Sequence, residues 1–155
     1  MDMQKPVKPV VIPEKIHVID MKILHGDINS PIDFNQDKID DFESTYHCEL
    51  SFNLEDKMVK TDFEVSLKTT SEPDTNSVEA TSNFKFAFFY YIENLNDLAA
   101  VTKEDTIDLK GGLEGILASI TYSTSRGILM TRFQGTALSD FILPVINPDV
   151  LLKRK

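Results

Sequence analysis

The chain has 155 residues, 25 acidic against 16 basic, a formal net charge of −9 and 41% hydrophobic residues. That suits one globular domain with a real core, too short for two and too apolar to be disordered. An acidic balance with no internal cluster of Lys or Arg argues against nucleic acid, whose phosphates would repel it. No apolar run approaches the roughly 18–20 residues that span a bilayer, so membrane insertion is not expected. Residues 1–13 lack the apolar region of a secretory signal. Cys48 is the one cysteine, which leaves no intramolecular disulfide and no multi-cysteine zinc site. A reducing, cytoplasmic address is the expectation.

Pro6, Pro9 and Pro13 mark residues 1–13 as a flexible tail, with 14–155 as a single domain. From Glu14 the period is two. In Ile16–His25, Ile19, Met21 and Ile23 share one face, and His17 falls in phase with Ile19. Gly26–Asp41 reads as a loop around Phe34 and Ile39. Phe42, Tyr46, Cys48, Leu50, Phe52 and Leu54 then alternate with polar residues, the mark of a half-buried strand. Glu55-Asp56-Lys57 makes a tight connection to Val59, Phe63, Val65 and Leu67, which predicts a hairpin. Residues 69–77 (TTSEPDTNS) read as turn. A fourth strand is predicted from Val78 to about Ile92, with Phe84, Phe86, Phe88 and Tyr90 on one face and Phe89 and Tyr91 on the other.

A short helical turn is expected near Asn96–Val101. The period then changes. Leu113–Phe133 has helical spacing, yet only Glu114, Arg126 and Arg132 are charged, and Ala, Gly, Ser and Thr fill most of the rest. A helix on a sheet needs one apolar stripe and one polar face. With no charged face for water, this one is expected to be covered on both sides, by its own sheet and by another subunit. Leu117, Ile120, Tyr122, Thr124 and Ile128 are its candidate interface residues. Pro144 and Pro148 force Leu143–Pro148 into an extended apolar loop, and a short helix, Asp149–Lys153, is predicted to end the chain. The fold class is α+β, a four-stranded, mostly antiparallel sheet followed by one long buried helix.

No catalytic constellation stands out. His47 and Cys48 are strand neighbours and point to opposite faces, so they cannot form a nucleophile–base pair. His17 and His25 are about 26 Å apart along an extended strand, too far to share a metal. Asp40-Asp41 and Asp105/Asp108 fall in polar loops with nothing to raise one pKa. Neither a metal nor any cofactor is implied, and binding is favoured over catalysis. Phe34, Phe89, Tyr91 and Phe141–Val145 are apolar surface that regular packing does not use, fit to line a groove for an extended peptide.

The order of elements, with Tyr122–Gly127 (YSTSRG), Gly135-Thr136, Leu143–Pro148 (LPVINP) and the opening strand Ile16–Asp20, resembles the SecB family of export chaperones. The resemblance covers roughly residues 14–152. It implies a cytoplasmic homotetramer, a dimer of dimers with helices between two eight-stranded sheets, that holds non-native polypeptides without ATP. By position, Phe34, Phe42, Leu138, Phe141, Leu143, Val145 and Leu151 would lie near the client groove. Asp20 sits where family members carry an acidic residue that docks the SecA motor. The chain departs from the family in Phe84–Phe88, which offers Lys85 where an acid is needed, and in the absence of a long polar tail after the last helix.

Two roles follow from the resemblance, general export and service to one partner such as the antitoxin of a toxin–antitoxin pair. A rival from another class is a hotdog-like acyl thioesterase, where a sheet also wraps an apolar helix. There the helix comes early, whereas here it follows all four strands.

Overall fold

The computed structural model describes residues 10–73, 78–104 and 106–152. Four long strands, β1 (Ile16–Asn29), β2 (Ile39–Asn53), β3 (Met58–Ser71) and β4 (Thr81–Ile92), form one antiparallel sheet in the order β1-β4-β3-β2. Consequently β1 and β2 are its edges. The hairpin between β2 and β3 closes where Lys57 donates its N–H to the Leu54 carbonyl at 3.2 Å, with Lys57 itself at φ 58°. Alternation puts Val59, Phe63, Val65 and Leu67 inward from β3, and Phe84, Phe86, Phe88, Tyr90 and Ile92 inward from β4, all buried.

β1 departs from simple alternation. Its register slips between Val18 and Asp20 and again between Ile23 and His25. Each slip inserts an unpaired residue, and a bulge turns that residue away from the ladder. Ile19, expected inward, is therefore 54% exposed, while Met21 and Ile23 keep their places against the core. His17 is exposed too, paired with Glu93 at 2.9 Å. The segment 26–41, expected as loop, is strand up to Asn29 and again from Ile39. Gly26 lies against the Phe84 ring, 2.7 Å from where a Cβ would stand, so the strand passes there only as glycine. At the other hairpin β3 runs on to Ser71 and β4 starts at Thr81, and residues 74–77 of the expected turn lie outside the described residues.

After β4 come a single helical turn, α1 (Leu95–Leu98), and a small hairpin, β5 (Ala99–Val101) with β6 (Ile107–Leu109). Helix α2 (Leu113–Arg132) lays Leu113, Leu117, Ala118, Thr121, Tyr122, Ser125 and Leu129 on the sheet. Its position is fixed by a buried hydroxyl chain, in which Thr121 Oγ1 lies 2.7 Å from both Thr61 Oγ1 on β3 and the Tyr90 hydroxyl on β4. Buried polar groups need such partners. Helix α3 (Pro148–Leu152) begins where Asn147 Oδ1 accepts the Asp149 N–H at 3.0 Å, and Lys153, expected in it, is not among the described residues. Val11, inside the segment expected as tail, packs against the core.

Candidate functional site

Two helices cover the sheet: α2 lies over β3, and the five-residue α3 lies over β2. Between them the inner face of β2 stays partly open. A groove of about 1050 Å³ runs along this edge, floored by Tyr46, Cys48, Leu50 and Phe52 and walled by Ile107 of β6 and by Val150 and Leu152 of α3. β2 pairs with β3 on one side only, so every second residue turns its backbone N–H and C=O away from the sheet. Glu49, Glu64 and Glu114 stand on the rim, with His47 3.0 Å from Glu49 and Lys85 3.2 Å from Glu64. Cys48 is 4% exposed, and burial, with the charges of Asp62 and Glu49 adding to it, pushes its thiol up to about 12.

Beyond the groove the loop after β1 is tied to the segment after α2. Gln36 Nε2 donates to the Thr136 carbonyl and to Ser139 Oγ, both at 3.0 Å, and Ala137 donates its N–H to Ser30 Oγ at 3.0 Å. The Phe42 and Phe141 rings meet there at 5.4 Å, and Ile32 projects fully into solvent.

The residues named from sequence separate into groups. Phe34, Phe42 and Phe141 are half-buried against the core at this second end, and Phe42 and Phe141 are in contact. Leu138 and Leu143 are core residues facing no groove, at 0% and 2% exposure. Spacing cannot tell inward from outward in an aperiodic loop. Here the Tyr122 hydroxyl donates to the Pro144 carbonyl at 2.5 Å and holds the loop, with Leu143 buried beneath it. Leu151 is buried but does wall the groove, whereas Val145, 88% exposed, belongs to a smaller pocket across α3.

On α2, Leu117 and Tyr122 are spent on the chain's own sheet, so they are corrected from interface to core. The phase of the helix is set by Leu113, Leu117 and Thr121. Ile120 and Ile128 are half-buried, Thr124 is exposed, and Ile116, Ser123, Gly127 and Met130 complete the outward stripe. Asp20 is exposed on β1 and lies 3.9 Å from Lys22. Phe89 sits on the outer sheet face between Lys22 and Lys60, whose ammonium groups are 5.7 and 5.8 Å from its ring. Sequence reading missed Ile107, Val150 and Leu152, and took Tyr46, Leu50 and Phe52 as core alone. The available signal was β2 as an edge strand, which needs the strand order. Among the described residues no three His, Cys, Asp or Glu side chains stand together as a metal site, and no helix is long and apolar enough to cross a membrane.

No family model and no curated protein matches the chain. A solved structure does, with a TM-score of 0.61 at 15% identity, over 86% of this chain and 91% of that one. It is Rv1957 of Mycobacterium tuberculosis, a SecB-like chaperone in complex with a ChAD peptide from the Rv1956 HigA1 antitoxin. The chain has a SecB-like fold. The expected antiparallel sheet followed by a long helix and a short one is thus the architecture of a known chaperone.

Proposed function

We propose that this chain is a SecB-like holdase that keeps a non-native polypeptide extended in the β2 groove without ATP. The observation that carries the reading is the groove itself, an apolar floor beside a strand edge with free backbone groups. A client strand gains main-chain hydrogen bonds from such an edge and buries alternate apolar side chains against Tyr46, Leu50, Val150 and Leu152. Burial by area is indifferent to shape, which suits unfolded chains.

Within this reading, service to one partner such as an antitoxin is favoured over general export. The SecB-like neighbour binds an antitoxin peptide. The outer sheet face, where a SecA-type motor would dock on acidic residues, instead pairs Asp20 with Lys22, Asp62 with Lys60 and Glu64 with Lys85. Self-assembly into a cytoplasmic homotetramer belongs to the same proposal. Two four-stranded sheets become eight-stranded by joining edges. β2 borders the groove, which leaves β1, where Val18, Ile19 and Leu24 are about half exposed. Gly127 supports a second contact through α2. A mid-helix glycine costs about 1 kcal/mol, and a Cβ there would meet nothing within 4 Å in this chain.

The test is light scattering while an unfolded, reduced client is diluted with and without the chain, in the absence of ATP. Suppression near one tetramer per client supports the holdase. A lack of suppression across several clients, together with no binding of an antitoxin-derived peptide, refutes it.

A further inference from the structure

Helix α3 forms a wall of two openings. Leu151 borders the groove on one side and, on the other, a pocket of about 90 Å³ between α2 and the loop that precedes α3. The two openings differ in charge. Among the described residues, carboxylates line the groove and no Lys or Arg does. The small pocket holds, among the described residues, Arg126 with Ser119 and Ser123 and no carboxylate, and faces the apolar Val145 and Ile146. Spacings of four and three place Ser119, Ser123 and Arg126 on one strip of α2. Among the described residues Arg126 has no hydrogen-bond or ion-pair partner, in a chain whose net charge is −9. A planar guanidinium beside two hydroxyls and an apolar wall is suited to hold a carboxylate by both oxygens.

We infer that this pocket takes an acidic side chain of the polypeptide held in the groove, with an apolar neighbour of that residue resting on Val145. The inference rests on the groove being the client site. A helix is about 10 Å across, and an extended chain advances about 3.3 Å per residue. The acidic residue at Arg126 therefore lies about three positions from the client residue in the groove, where Glu114 on the rim favours a cation. A segment with a cation at one end and a carboxylate at the other fits in one direction only.

Fluorescence anisotropy tests this with a labelled apolar peptide of about twelve residues, carrying Lys and, about three positions on, either Glu or Gln. The wild-type protein is expected to bind the Glu peptide roughly tenfold more tightly, as one charge-assisted pair allows. Arg126→Gln should erase the difference while binding the Gln peptide as before, and Arg126→Lys should keep part of it. Equal wild-type affinities, or a preference that survives Arg126→Gln, overturn the inference. So does loss of the oligomer in Arg126→Gln, which would assign the missing carboxylate to a second copy. Failure of both peptides to bind would instead sink the groove reading, and this inference with it.

Discussion

Val150 is 48% exposed on α3, where it walls the groove. A client laid there removes the exposed half of the side chain from water. Full burial of a valine is worth about 1.5 kcal/mol at the low end, so that half contributes about 0.8 kcal/mol. Val150→Asp loses this and leaves a carboxylate unpaired beneath the client, which costs a further ~1–3 kcal/mol. The sum is about 2 kcal/mol or more, a rise in Kd of roughly 20-fold at least. The fold should be spared, because a substitution at an exposed position away from special contacts changes stability by about 0.5 kcal/mol or less. Anisotropy of a labelled unfolded client reads the affinity, and thermal melting with light scattering reads fold and assembly. Val78→Asp is the control, at a position 73% exposed and outside the groove lining. If Val150→Asp melts and assembles like the wild type and still binds with unchanged Kd, clients do not lie in this groove.

Thr121→Val leaves the buried Thr61 and Tyr90 hydroxyls without their shared partner and should cost about 2 kcal/mol, lowering Tm by about 6 °C; an unchanged melt would mean the hydroxyl chain does not anchor α2. Ile120→Asp, on the outer half of α2, should dissociate the assembly in sedimentation, and a variant that stays fully oligomeric would remove the case for a helix-mediated contact. Burial opposes ionisation of Glu79, but hydrogen bonds from Thr69 Oγ1 and from the N–H and Oγ of Ser71 outweigh it, so its pKa is lowered in the fold. Stability from Glu79 is then present above the ordinary glutamate pKa and lost as pH falls through the folded value, so Glu79→Gln should flatten the acid limb of a pH–stability curve. With its thiol near 12, Cys48 carries about one part in ten thousand of thiolate at pH 8 and should react with a disulfide reagent far more slowly than free cysteine, and equal rates would place it outside the core.

Much of the fold was legible because two periods dominate the chain. Val59–Leu67 alternates strictly, and Phe84, Phe86, Phe88 and Tyr90 keep the same phase although Phe89 and Tyr91 make the end of β4 apolar on both faces, so the core face of β3 and β4 follows from spacing. The change to helical spacing at Leu113 marks α2 to its first residue. β1 was less legible, since a bulge costs one residue of phase and Ile19 carries no mark that it is the extra one. The site was the least legible part. It is assembled from the edge of β2, whose period marks the inward face but not that it stays uncovered, and from a three-residue strand and a five-residue helix too short to carry a period. Leu143 and Val145 are two residues apart in one loop and look alike in sequence. Their burial differs because the Tyr122 hydroxyl holds the carbonyl between them.

The groove follows from a mismatch of widths between the layers. Four strands at about 4.8 Å spacing make a sheet some 15–20 Å wide, whereas one helix covers about 10 Å. α2 is placed over β3 by its bond to Thr61 and over β4 by its bond to Tyr90, so coverage of β2 falls to α3. A helix of five residues is about 7.5 Å long, and β2 at 15 residues is about 50 Å long. Tyr46, Leu50 and Phe52 therefore keep part of their surface in water, at a cost to stability that a longer second helix would have removed. The same three side chains supply the driving force for binding, because whatever covers them recovers that cost. Lengthening α3 by two helical turns should raise Tm and weaken client binding together, whereas a rise in Tm with client affinity intact would separate the groove from the function proposed for it.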